Sequence, residues 1–180
     1  MNKNIIQLHD KKFEPFISYE QIDRAIQYIA DRLNKEMKGK NPLFVPVLNG
    51  AFMFAGDLFK KLDFPCEISF VKFSSYVGTT STEDVKQLLG FETDVKGRTV
   101  VIVEDIIDTG LTIHKIIDQL KQKEAREVKI ATLLFKPDAF KGNYKVDYIG
   151  MKIPNDFIVG YGLDYNQYGR NYKDIYKIVE

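Results

Sequence analysis

Between Ser18 and Met37 the apolar residues Ile22, Ala25, Ile26, Ile29, Ala30, Leu33 and Met37 recur at helical spacing, so they share one face. Ser18 with Gln21 has the form of a capping box, and Gly39 is a stop signal. The pattern then changes. Leu43 to Leu48 is a short apolar run read as a buried strand, in which Pro46 cannot donate to a sheet ladder. After Asn49-Gly50, Ala51 to Leu62 suggests a helix. Cys66 to Phe73 and Val85 to Phe91 read as two strands joined by the polar loop Ser74 to Asp84. Thr99 to Val103 is almost wholly apolar, as strands covered on both faces are. A helix is expected from Thr112 to Lys123 and another buried strand from Val128 to Phe135. This rhythm predicts an α/β fold with a mainly parallel, twisted sheet flanked by helices. Ligands of such sheets lie beyond the carboxyl ends of the strands, here Asn49-Gly50, Glu104 to Thr112 and Lys136.

A chain of 180 residues is long enough for one domain with a real core. Its net charge of +1 gives no electrostatic basis for long-range capture of a nucleic acid. Cys66, the single cysteine, cannot form an internal disulfide or a thiolate metal site, and is read as a small packed hydrophobe. The first residues hold no apolar run suited to a signal peptide, and no later run approaches the roughly 18 residues that span a bilayer. A soluble cytoplasmic protein is therefore expected, with no membrane or nucleic-acid partner. His9 and His114 lack the acid or hydroxyl neighbours of a triad or metal site and are read as surface or structural residues.

The most informative segment runs from Val100 to Thr112, Val-Val-Ile-Val-Glu-Asp-Ile-Ile-Asp-Thr-Gly-Leu-Thr. An apolar strand delivers the carboxylates of Glu104 and Asp105 to its end. A loop then carries Asp108, Thr109, Gly110 and Thr112 into a helix start. Gly110 permits close backbone approach, and successive amides at a helix start form an anion nest. The two acids suit ribose hydroxyls or a Mg²⁺ that keeps most of its waters. A lone Asp-Thr-Gly could equally cap the helix with Asp108 or Thr109, leaving the acids as solvated loop residues.

In sum the segment resembles the phosphoribosyl pyrophosphate signature of type I phosphoribosyltransferases, and four further segments resemble their hypoxanthine-guanine branch, over about residues 5–176. Val47-Leu48-Asn49-Gly50-Ala51 is similar to the pyrophosphate loop, which implies pyrophosphate contacts at Asn49 and Gly50 and a cis peptide at Leu48-Asn49. Some relatives have Lys at the place of Asn49. The run Ser74 to Thr82 resembles a mobile loop with Ser75 and Tyr76 at its working end; Glu83 stands where many relatives have Gly. Lys136 in Leu133-Leu134-Phe135-Lys136-Pro137 matches the residue that donates to the 6-oxo group of the purine. In Ile153 to Arg170, Phe157 matches the ring that stacks on the base and Ile158 the backbone that reads its edge. Asp164 matches a residue near the metal, and Arg170 one that holds pyrophosphate. Each segment alone has a plainer reading: a strand-to-helix turn, an exposed hairpin, a snorkelling lysine, a core phenylalanine beside the packed rings of Tyr165, Tyr168 and Tyr172.

The resemblance implies a type I phosphoribosyltransferase fold over residues 1–180, with a core of about 18–150 and a hood from about 1–17 and 151–180. It implies Mg²⁺-dependent purine salvage: phosphoribosyl pyrophosphate and hypoxanthine, or guanine, give IMP or GMP and pyrophosphate. A homodimer or homotetramer is implied as well. The phosphoribosyl group would rest on Glu104, Asp105, Ile106, Ile107, Asp108, Thr109, Gly110, Leu111 and Thr112, with Glu104, Asp105 and Asp164 toward the metal. Asp108, whose charge does not help a phosphate, is assigned as general base for purine N7. Three other readings stand beside this one: a transferase for adenine, xanthine or a pyrimidine, an RNA-binding regulator of the same fold, and a phospho-acceptor receiver domain.

Overall fold

The computed structural model describes residues 5–75 and 85–179. Tyr76 and Glu83, and most of the expected mobile loop, lie outside them. In chain order the elements are β1 (Ile6–Leu8), β2 (Lys11–Ile17), α1 (Tyr19–Met37), β3 (Leu43–Leu48), α2 (Phe52–Phe59), β4 (Glu67–Ile68), β5 (Val71–Ser75) and β6 (Val85–Leu89). There follow β7 (Thr99–Ile107), α3 (Leu111–Gln122), β8 (Glu127–Phe135), β9 (Tyr148–Lys152), β10 (Ile158–Val159) and β11 (Ile175–Ile178).

One sheet runs β6-β5-β3-β7-β8-β9, with β4 beside β3; every pairing in it is parallel except β5 with β6. Alternation along its strands divides the core. Phe44, Val101, Val103, Ala131 and Leu133 face α1 and α2, whereas Leu43, Val45, Val100, Ile102 and Ile130 face α3. A strand covered on both faces has no reason to be polar, which explains the unbroken apolar runs. On α1, Ile22, Ala25, Ile26, Ile29, Ala30, Leu33 and Met37 are all buried, and the Ser18 N–H donates to Gln21 Oε1 at 2.9 Å. A second, antiparallel sheet of order β1-β2-β11-β10 joins the two ends of the chain.

Several boundaries differ from the sequence expectation. The strand expected over 66–73 is two strands, β4 and β5. Their break at Ser69-Phe70 falls opposite Val45-Pro46, where β3 carries a proline without an amide hydrogen. The helix expected over 51–62 is only Phe52–Phe59. β7 continues four residues past Val103, so Glu104 and Asp105 lie inside the strand, two residues short of its end. Its ladder with β8 persists to Ile107 opposite Phe135. Among the described residues no helix is long and apolar enough to cross a membrane.

Candidate functional site

A cavity of about 320 Å³ opens at the carboxyl ends of β3 and β7, where the sheet rule places it. Leu48 to Gly50 form one wall, Glu104 to Ile113 the floor, and Asp164 and Arg170 the far side. All nine residues from Glu104 to Thr112 therefore share one cavity with Asn49, Gly50, Asp164 and Arg170.

Its floor is set by the β7–α3 turn. Gly110, not Asp108 or Thr109, is the N-cap of α3, and no side chain caps the helix there. Gly110 has φ +84°, in the left-handed region that glycine adopts without penalty. The first-turn amides of a helix have no partner within it, so those of Leu111, Thr112 and Ile113 are available to an anion at the cavity floor.

The wall depends on close approach. The Leu48-Asn49 peptide is cis. A Cβ at Gly50 would stand 1.9 Å from Asp105 Oδ2, so the Asp105 carboxylate occupies space that only glycine leaves open. Asp105 Oδ1 accepts the Ile106 N–H at 2.9 Å, and Glu104 Oε1 the Asp105 N–H at 3.3 Å. Both acids are buried. Burial holds Glu104 well above the ordinary carboxyl range, and the Asp105 charge beside it adds to the effect. Burial also raises Asp105, against hydrogen bonds that favour its charged form.

Across the cavity Arg170 donates to the Gly162 carbonyl at 2.7 Å and pairs with Asp164 Oδ1, also at 2.7 Å. Asp164 Oδ2 accepts the Gln167 N–H at 2.7 Å. Among the described residues no three His, Cys, Asp or Glu side chains gather as a metal cage. Glu104, Asp105 and Asp164 all line the cavity, and their oxygens are donors of the hard kind that a cation keeping most of its waters takes.

Lys136, Phe157 and Ile158 do not line this cavity. Lys136 nevertheless reaches it through Asp108: Nζ lies 3.0 Å from Asp108 Oδ2. The Lys136 side chain is 9% exposed and that of Asp108 49%, so the lysine does not snorkel and is held inward by the acid. Phe157 is half exposed, with Tyr165 edge-on at 5.8 Å and Phe13 at 6.2 Å between ring centres. Ile178 donates its N–H to the Phe157 carbonyl at 2.9 Å. Opposite Lys177, the N–H and C=O of Ile158 must then turn away from β11, to the open edge of the sheet.

Ser75 ends β5, paired with Val85. His9 is exposed among the rings of Tyr165 and Tyr168, and His114 pairs with Asp118 on α3, as surface residues do. Cys66 packs against the core, where burial pushes its thiol up. Sequence reasoning missed Phe73 at the cavity. It also missed Phe140 and Tyr144, which lie beneath Gly110; no local pattern marks residues that meet the turn from some 30 positions away.

Residues 18–166 match the family model for the phosphoribosyl transferase domain. The chain is 43% identical over 156 residues to the hypoxanthine-guanine phosphoribosyltransferase of Streptococcus pneumoniae, covering 86% of this chain and 87% of that protein. It is 40% identical over 165 residues to the bifunctional protein TilS/HprT of Listeria monocytogenes; the match covers 91% of this chain but spans about a quarter of that relative's length, 26%. A crystal structure of a hypoxanthine phosphoribosyltransferase from Staphylococcus aureus superposes with a TM-score of 0.87 at 35% identity, covering 92% of this chain and 91% of that one.

Proposed function

The chain belongs to the phosphoribosyltransferase family, in its hypoxanthine-guanine branch, and from that premise we propose that it salvages 6-oxopurines. It transfers the phosphoribosyl group of phosphoribosyl pyrophosphate to N9 of hypoxanthine or guanine, giving IMP or GMP and pyrophosphate. The observation that carries this reading is one cavity whose floor holds two buried acids and a helix-start anion nest and whose far side holds an arginine.

The amides of Gly110 to Thr112 and the hydroxyls of Thr109 and Thr112 hold the 5′-phosphate. Glu104 and Asp105 face the ribose hydroxyls. Ile106 and Ile107 complete the strand beneath the sugar. Asn49, Gly50 and Arg170 receive pyrophosphate at the opposite wall, and Asp164 orients Arg170. Mg²⁺ near Glu104, Asp105 and Asp164 would supply charge neutralisation for the departing pyrophosphate.

Phe157 stacks on the base, and the Ile158 N–H and C=O read its edge. Lys136 donates to the 6-oxo group; an ammonium has donors and no acceptor, so an amino group at that place is refused. Asp108 accepts the N7 proton as N9 attacks C1 of the ribose. Because Lys136 pairs with Asp108, the residue that recognises the oxo group also sets where the base stands. The reading takes residues 1–180 as a single phosphoribosyltransferase domain with a hood, acting in the cytoplasm as a homodimer or homotetramer.

Steady-state assays with hypoxanthine, guanine, xanthine and adenine, with and without Mg²⁺, test the proposal. Turnover with the first two and with Mg²⁺ only is expected. Turnover of adenine alone, or none with any base, would refute it.

A further inference from the structure

Residues 136–147 connect β8 to β9 without a helix, yet they press against the underside of the β7–α3 turn. Phe140 and Tyr144 meet edge to face at 5.2 Å, and Phe140 meets Phe135 in the same way at 5.1 Å. The pair fills the space beneath Gly110, where an added Cβ would stand 2.5 Å from Tyr144 Oη and 2.7 Å from Phe140 Cε2. Two hydrogen bonds tie the turn to this platform. Tyr144 Oη donates to the Gly110 carbonyl at 2.8 Å, and the Lys141 N–H donates to the Thr109 carbonyl at 3.1 Å.

These bonds fix more than the carbonyls. In a trans peptide the C=O of one residue and the N–H of the next point in opposite directions. Drawing the Thr109 and Gly110 carbonyls down to the platform therefore turns the Gly110 and Leu111 amides up, toward the cavity. We infer that Tyr144 is a positioning residue for the phosphate-binding turn: its hydroxyl and ring aim the amides that hold the 5′-phosphate, without touching substrate. The inference rests on the phosphoribosyltransferase reading of this site.

The test compares IMP with inosine, which differ only in the 5′-phosphate, as ligands of the full-length protein. Tyr144→Phe keeps the ring and removes the donor. Its affinity for IMP should fall about three- to fivefold, the size expected when a partly buried carbonyl loses one partner and keeps the His114 N–H at 3.0 Å, while inosine binding changes by less than about twofold. In turnover the KM for phosphoribosyl pyrophosphate should rise by a similar factor, with kcat and the KM for hypoxanthine nearly constant. Gly142→Ala is a second probe, because its Cβ would stand 2.5 Å from Phe140 Cζ and 2.7 Å from Tyr144 Cε1 and so displace both rings. It should shift the IMP-to-inosine ratio in the same direction. A general loss of folding lowers both affinities together and leaves that ratio unchanged, which would overturn the inference, as would a ratio untouched in both variants. Failure of the wild-type protein to bind IMP would instead overturn the functional reading beneath it.

Discussion

At the end of the site proposed for the 5′-phosphate the groups facing the cavity are main-chain amides, beside a left-handed glycine and carbonyls bonded from below. At the end proposed for the base they are an aromatic ring on the rim of an antiparallel sheet, a lysine directly after β8, and one strand residue with an open edge. The difference follows from what each end must recognise. A phosphate is the same in every substrate and is best met by many fixed dipoles, which no single side chain can retune. A purine must be told from other bases, which takes side chains with particular donors. The phosphate end should therefore tolerate no change of backbone space, and the base end should respond in proportion to each group removed.

Asp108 joins the two ends, since it belongs to the turn but pairs with Lys136 of the base end. Asp108→Asn keeps shape and removes the base, so kcat should fall roughly 10²–10⁴-fold while the KM for phosphoribosyl pyrophosphate changes little. Rapid-quench measurement of IMP formation decides it. An unchanged kcat would dissolve the link between the ends.

The next effect belongs to the pyrophosphate wall and leaves the base end untouched. Gly50→Ala would put a carbon 1.9 Å from Asp105 Oδ2 and 2.6 Å from its Cγ, so either the acid or the loop must retreat. A displacement of that order at reacting groups costs about 10²-fold, here in kcat/KM for phosphoribosyl pyrophosphate. If the variant retained wild-type kinetics, the close packing of wall and floor would have no part in function.

These features were unequally legible in the sequence. α1, the parallel sheet and the floor from Glu104 to Thr112 could be read because periodicity and local order determine them: the buried face of α1 is the one its spacing predicts. The end of β7 could not, because adjacent acids look like loop residues until a neighbouring strand is known to bury them. Nor could the Lys136–Asp108 pair or the Tyr144 bond to Gly110, which join positions 28 and 34 apart. Family resemblance supplied Phe157 and Arg170, whose residue types alone fit core packing or a surface charge equally well.

The buried acids allow a test of the comparison without catalysis. Glu104 has its pKa raised by burial and by Asp105, so the folded chain keeps a proton after the unfolded chain has lost it. Its contribution to stability is full below the ordinary carboxyl range and is lost as pH rises through the raised folded value. Glu104→Gln should flatten that decline. Relief of about 1 kcal/mol would raise Tm by roughly 2–4 °C at pH 8 and by less at pH 5 in a chain of this size. Calorimetric melts at the two pH values measure it, and equal shifts at both would contradict the upward shift at Glu104.

The smallest effect belongs to the base end. Tyr165 stands edge-on to Phe157, and its hydroxyl donates to Asp10 Oδ1 at 2.8 Å at the exposed rim. Tyr165→Phe preserves the ring that supports Phe157 and frees only its outer edge. Water can replace an exposed partner, so the KM for hypoxanthine should rise about twofold and that for phosphoribosyl pyrophosphate should stay constant. A larger change in the pyrophosphate substrate than in the base would mean that Tyr165 acts through the neighbouring Asp164. The two ends would then be coupled along the 157–170 segment, where Arg170 bonds to Asp164 and to the Gly162 carbonyl, as well as through Asp108.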